Sequence, residues 1–165
     1  MLVDMTLLLF GAAIGWTVSL YGFGVSEKAN LIGDHINDLM KYSEELRLYW
    51  SKSFIDDRKS QLEEIIKIKS LYISVQTFYG HHASSLFTSN VLSEYQKITQ
   101  KLIYVMTAGD FEKVERDSNE SKAIETQQLS WELIQILRRE RQKQYHLISP
   151  IRLLIRGIGR CGGKK

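Results

Sequence analysis

The chain opens on an apolar stretch: from Met5 to Val25 there is no formally charged residue. At 1.5 Å per residue a helix over this run reaches about 31 Å, the thickness of a bilayer's hydrocarbon core. The pattern therefore predicts one transmembrane helix within residues 1–25. Beyond it the pattern turns amphipathic. Ile32, Ile36, Leu39, Leu46 and Trp50 recur at helical spacing between Ser26 and about Phe54, which predicts a helix with one buried face. Ser60-Gln-Leu-Glu63 has the form of a capping box and predicts a second helix through Leu62, Ile65, Ile66, Tyr72 and Val75 to about Gly80. A third runs from about Asn90 to Thr107 on Val91, Tyr95, Ile98, Leu102 and Val105, closed by Gly109-Asp110. Phe111–Arg116 begins a fourth, broken at Asp117-Ser-Asn119 and continuing through Ile124, Trp131, Ile134 and Leu137 to about Leu147. With no Pro before Pro150 and no internal repeat, the fold class is all-α. A membrane helix (1–25) leads into a bundle of four to five helices (26–148), followed by a tail (149–165).

No Lys or Arg precedes the apolar run and no A-x-A site follows it, so it reads as an anchor and not as a cleaved signal peptide. Lys28, Lys41, Arg47 and Lys52 come after it, and the positive-inside rule then puts the N-terminus outside and the C-terminal domain in the cytoplasm. Gly11, Gly15 and Ser19 recur every four residues, with Gly22 on the same face. Small residues at that spacing let membrane helices approach closely, which points to a homo-oligomer, although glycine is also simply common in such helices. Asp4 shares that face at the outer mouth. In a ring of chains it would supply a ring of carboxylates; in a lone chain it is a solvated terminus.

Charge divides the chain unevenly. Residues 138–165 hold nine Lys and Arg against Glu140 alone, a net of +8; since the whole chain carries +3, residues 1–137 sum to −5. An acidic body thus precedes a basic end. Arg152, Arg156 and Arg160 are spaced by four among Ile151, Leu153, Leu154, Ile155 and Ile158, with Ser149-Pro150 suited to start a helix. Such a helix would suit an anionic leaflet, a phosphate group or a partner helix.

Chemical motifs are few. The chain lacks a Walker loop, a dinucleotide fingerprint, H-E-x-x-H and any Ser or Cys nucleophile motif. The pair His81-His82 with His35 lacks metal-ligand spacing, and the lone Cys161 rules out an internal disulfide; no metal and no cofactor is expected. Arg141 and His146 form an Arg-x-x-x-x-His pattern late in the last long helix. A histidine titrating near neutrality can take the proton of a ribose 2′-hydroxyl while a guanidinium stabilises phosphorane charge, without a metal. The same residues also suit a basic helix end whose side chains meet the terminal carbonyls.

An all-helical domain whose last long helix carries Arg141, Gln142 and His146 resembles the HEPN superfamily of RNA-associated helical domains. With one N-terminal membrane helix, the chain is similar to the small HEPN-like membrane accessory proteins of type VI-B CRISPR systems. That resemblance implies a ring-shaped oligomer, an octamer by the family's pattern, forming an inner-membrane pore that strengthens antiphage defence by an RNA-guided effector. HEPN nucleases assemble a composite site from two Arg–His pairs, so a membrane-anchored ribonuclease acting on RNA is the second implied reading. A membrane-tethered scaffold is the third.

Overall fold

The apolar run and the amphipathic segment after it form a single helix, α1 (Leu2–Ser51), because nothing between Val25 and Ser26 breaks one. In this computed structural model the backbone is described for residues 2–107 and 110–146, and the side chains for 11–107 and 110–144. Among these, 33–139 form one unit and 2–32 with 140–146 a second.

Within the 33–139 unit, α1 is followed by α2 (Arg58–Phe78), a π-helical turn (Tyr79–Ala83), the short α3 (Ser84–Leu86), α4 (Ser89–Thr107) and α5 (Glu120–His146). No strand occurs among the described residues. The long helices run up, down, up, down. Asp38 meets Ser74 and Glu45 meets Lys67, so α1 and α2 are antiparallel. His35 meets Tyr95 and Tyr42 meets Met106, so α1 and α4 are parallel. Glu94 and Arg139 bring the start of α4 to the later part of α5. The core is filled by Leu39, Tyr42, Leu46, Tyr49 and Trp50 of α1, Ile68 of α2, Tyr95 and Leu102 of α4, and Leu133 and Leu137 of α5. Apolar burial at this spacing is the main stabilising term.

Two boundaries differ from the sequence expectation. α2 starts at Arg58, and its N-cap is Asp57, whose carboxylate accepts from Ser60 N at 3.1 Å. Ser60 is thus the donor of the cap and not its acceptor; the carboxylate three residues earlier meets the free amide and carries the charge a helix start favours. Residues 111–116 are not helical. The chain from Asp110 to Asn119 is a loop, and α5 begins after Asn119, whose side chain accepts from Lys122 N at 3.0 Å.

Arg116 explains that loop. Its guanidinium is buried and donates to Tyr49 O, which also accepts from Lys52 N at 3.3 Å, and, at 3.1 Å, to Lys52 O just past the end of α1. It lies 4.4 Å from the Tyr49 ring centroid and 4.8 Å from that of Trp50. Backbone bonds from Phe54 N to Arg116 O (2.8 Å) and from Asn119 N to Trp50 O (2.7 Å) close the joint. A helix over 111–116 would break all of these. Glu115, just before Arg116, accepts a left-handed backbone (φ 55°) to deliver it.

Candidate functional site

The first candidate is the apolar half of α1. Gly11 to Phe23 are largely exposed: Ile14, Trp16, Leu20, Tyr21 and Phe23 show between 45% and 75% of their surface. A Cβ added at Gly11, Gly15 or Gly22 would meet nothing within 4 Å, so the small-residue face is uncovered. Two of the segment's hydroxyls, those of Thr17 and Ser19, are satisfied within the helix. Ser19 Oγ donates to Gly15 O at 2.9 Å, and Thr17 Oγ1 to Ala13 O at 2.8 Å. Lipid requires such internal pairing, since it offers no hydrogen-bond partner. From Val25 onward the pattern changes to one buried face, at Val25, Ala29 and Ile32. Among the described residues no helix is long and apolar enough to cross a membrane. The side chains of residues 1–10, which begin the apolar run and include Asp4, lie outside the described residues.

The second candidate is the end of α5. Arg141 is half-buried, and Glu140 beside it is buried and paired with Lys143 at 2.6 Å. His146 closes the helix, its side chain outside the described residues. Arg152, Arg156, Arg160, Ser149-Pro150 and Cys161 lie outside the described residues, as does Gly109.

The remaining histidines are not brought together. His35 is 2% exposed, stacks on Phe78 with ring centroids 3.7 Å apart, and holds Tyr95 Oη 2.6 Å from Nε2. Its Nδ1 has no partner. Burial lowers its pKa to about 4, outweighing the nearby Asp38 carboxylate, which raises it. Burial pushes the Tyr95 hydroxyl well up, so the phenol stays protonated. His81 is exposed and His82 half-buried in the π-helical turn, their rings 6.4 Å apart. Among the described residues no three His, Cys, Asp or Glu side chains cluster as a metal site would require.

Sequence reasoning missed two features here. One is the Arg116 joint, whose partners lie 67 residues away in sequence. The other is a groove between α1 and α5, lined by Met40, Ser130, Trp131, Ile134 and Arg138, with a volume of about 550 Å³. Trp131 and Arg138 are a turn-spaced pair that could have marked it: the guanidinium lies 5.3 Å from the indole centroid. Compared with known proteins, the chain matches no family model, no curated protein and no solved structure.

Proposed function

We propose that this protein is anchored in a bacterial inner membrane by the start of α1, with its helical bundle in the cytoplasm, and that copies assemble into a pore that depolarises the membrane. By its resemblance to the HEPN-like membrane accessory proteins of type VI-B CRISPR systems, the pore serves antiphage defence beside an RNA-guided effector. The observation that carries this reading is the uncovered apolar surface of residues 11–24, with every glycine face open and the Thr17 and Ser19 hydroxyls bonded internally. Leaving that much apolar surface in water is unfavourable, and lipid or a second apolar helix would remove it. Lys28, Lys41, Arg47 and Lys52 after the run support the orientation.

The test is a potential-sensitive dye in cells expressing the protein under its activating condition. Wild type should depolarise the inner membrane, resist alkaline carbonate extraction and lose both properties when residues 1–25 are deleted. Arg141→Ala and His146→Ala should leave depolarisation intact where assembly is intact. Release of the wild-type chain by carbonate would end the reading. So would metal-independent cleavage of single-stranded RNA that requires His146 and proceeds without a change in potential, an outcome that would establish the ribonuclease instead.

A further inference from the structure

Between Lys69 and Glu94 the chain carries no Asp, Glu, Lys or Arg for 24 residues, the longest such run in a sequence of which 25% is charged. At that frequency about six charges would fall there. Burial does not explain the gap, because Thr77, His81, Ser84, Ser85, Ser89 and Asn90 are all exposed. The run comprises the last part of α2, the π-helical turn, α3 and the start of α4. Together these cap one end of the 33–139 unit, the end at which α1 enters. Phe78 stacks on His35, the Tyr95 hydroxyl meets the same imidazole, and Tyr79 stacks on Tyr95 with ring centroids 6.1 Å apart. Charged groups at this end belong to the flanking helices. They include Asp34 and Asp38 of α1, the latter accepting from Ser74 at 2.7 Å, and Glu94, which pairs with Arg139 at 3.6 Å. The opposite end has the reverse character: residues 110–117 alone hold Asp110, Glu112, Lys113, Glu115, Arg116 and Asp117.

We propose that this uncharged cap, from the π-helical turn to the first turn of α4, seats in the phospholipid headgroup layer as a second membrane contact. The reach of the chain favours that occupant. Val25 ends the apolar run and His35, on which the cap is built, follows ten residues later, at most about 15 Å at helical rise. The headgroup layer takes about 6 Å of that, and one helical turn with a side chain fills the remaining 9 Å or so. The chemistry favours it too. An anionic leaflet repels carboxylates, and any charged side chain pressed against it loses water. Exposed hydroxyls, the Asn90 amide and the His81 ring can instead exchange hydrogen bonds with phosphate and glycerol oxygens. Tyr79, half-buried at the start of the turn, is a residue type enriched at that depth. A protein partner selected by charge would need complementary charges here, and the cap has none. This inference rests on the membrane reading above and gives the bundle a defined side facing the bilayer.

Fluorescence quenching of the full chain in vesicles of phosphatidylethanolamine and phosphatidylglycerol tests it. In a Cys161→Ser background, Ser84→Cys in the cap and Ser53→Cys at the opposite end, both exposed positions, each carry one fluorophore. A nitroxide on the lipid headgroup should quench the label at 84 and spare the label at 53. Ser85→Glu with Ser89→Glu adds two carboxylates to the cap. At about fivefold each against an anionic surface, they should lower the ratio of quenched to unquenched label about 25-fold. Ser85→Gln with Ser89→Gln, similar in size and uncharged, should leave that ratio within about twofold. Unchanged quenching in the Glu pair, equal quenching at 84 and 53, or an equal loss in the Gln and Glu pairs would each overturn the proposal. Trp16 separates it from the membrane reading: lipids brominated in their acyl chains should quench the emission that Trp16→Phe removes. Quenching of Trp16 without quenching at 84 would remove the cap contact and leave the anchor standing. No quenching of Trp16 would remove both.

Discussion

Acidification should destabilise the helical bundle through His35. Above pH 6.5, its ordinary value, the imidazole is neutral in both folded and unfolded chains, so it contributes no pH dependence. As pH falls below 6.5 the unfolded chain takes up the proton, while the folded chain, with its pKa near 4, resists until much lower pH. Stability is therefore full above about pH 6.5 and declines toward pH 4. A shift of this size corresponds to about 3 kcal/mol once complete, and to about 2.5 kcal/mol at pH 4.5. The structural cause is plain: in the charged imidazolium both ring nitrogens carry N–H groups, and Nδ1 has no acceptor, in a ring stacked on Phe78. His35→Phe keeps the stacked ring and removes the titration, at a cost of about 1 kcal/mol for leaving the Tyr95 hydroxyl without its partner. Urea unfolding of the full chain in mild detergent, followed by tryptophan fluorescence, reads the effect, because Trp50 is fully buried. The two proteins should exchange rank: the variant weaker by about 1 kcal/mol at pH 7.5 and stronger by about 1.5 kcal/mol at pH 4.5. Parallel stability curves across that range would refute the reasoning, since other titrating groups are common to both.

Arg116→Ala should lower stability by about 3 kcal/mol, because the Tyr49 and Lys52 carbonyls lose a charged donor and three aromatic rings lose a cation. Arg116→Lys should recover only part of it, since an ammonium cannot fork to both carbonyls; the same urea titrations measure both. Asn119→Ala removes the cap of α5 and should cost about 1 kcal/mol by the same assay. Gly11→Leu with Gly15→Leu should leave the far-ultraviolet circular dichroism unchanged, as each added side chain enters open space, yet reduce the oligomeric mass in mild detergent. An unchanged mass would show that the small-residue face makes no contact between copies.

What the sequence disclosed depended on the range of the interactions involved. α4 was legible almost to the residue, since Tyr95, Ile98, Leu102 and Val105 lie on one buried face of it. The second helix was legible, but its start was misplaced because two acceptors competed, and the choice of Asp57 over Ser60 depends on loop geometry. The two halves of α1 looked like separate elements because the burial pattern changes near Val25; the pattern reports surroundings, while the backbone is governed by breakers, and none is present. Phe111–Arg116 misled for the opposite reason. Its alternation of apolar and charged residues suits a helix, but Phe111 and Arg116 are spent on Tyr49, Trp50 and Phe54, contacts that no local window contains. Of the candidate site, the apolar half of α1 could be read directly, whereas the α1–α5 groove exists only once the bundle is closed.

The parallel pairing of α1 with α4 has a consequence for biosynthesis. His35 to Tyr95, Tyr42 to Met106, Tyr49 to Phe111 and Arg116 to Tyr49 join positions 60, 64, 62 and 67 residues apart. A ribosome adding 5–20 residues per second makes each α1 side chain wait roughly 3–13 s for its partner to be synthesised. For that interval the amphipathic half of α1 is outside the ribosome with its aromatic face unmatched, a state prone to aggregate in free solution. A nascent chain already held at the bilayer by residues 5–25 would spend the interval at low local concentration of its own kind. On the proposed membrane reading, targeting would then act during synthesis as a folding aid.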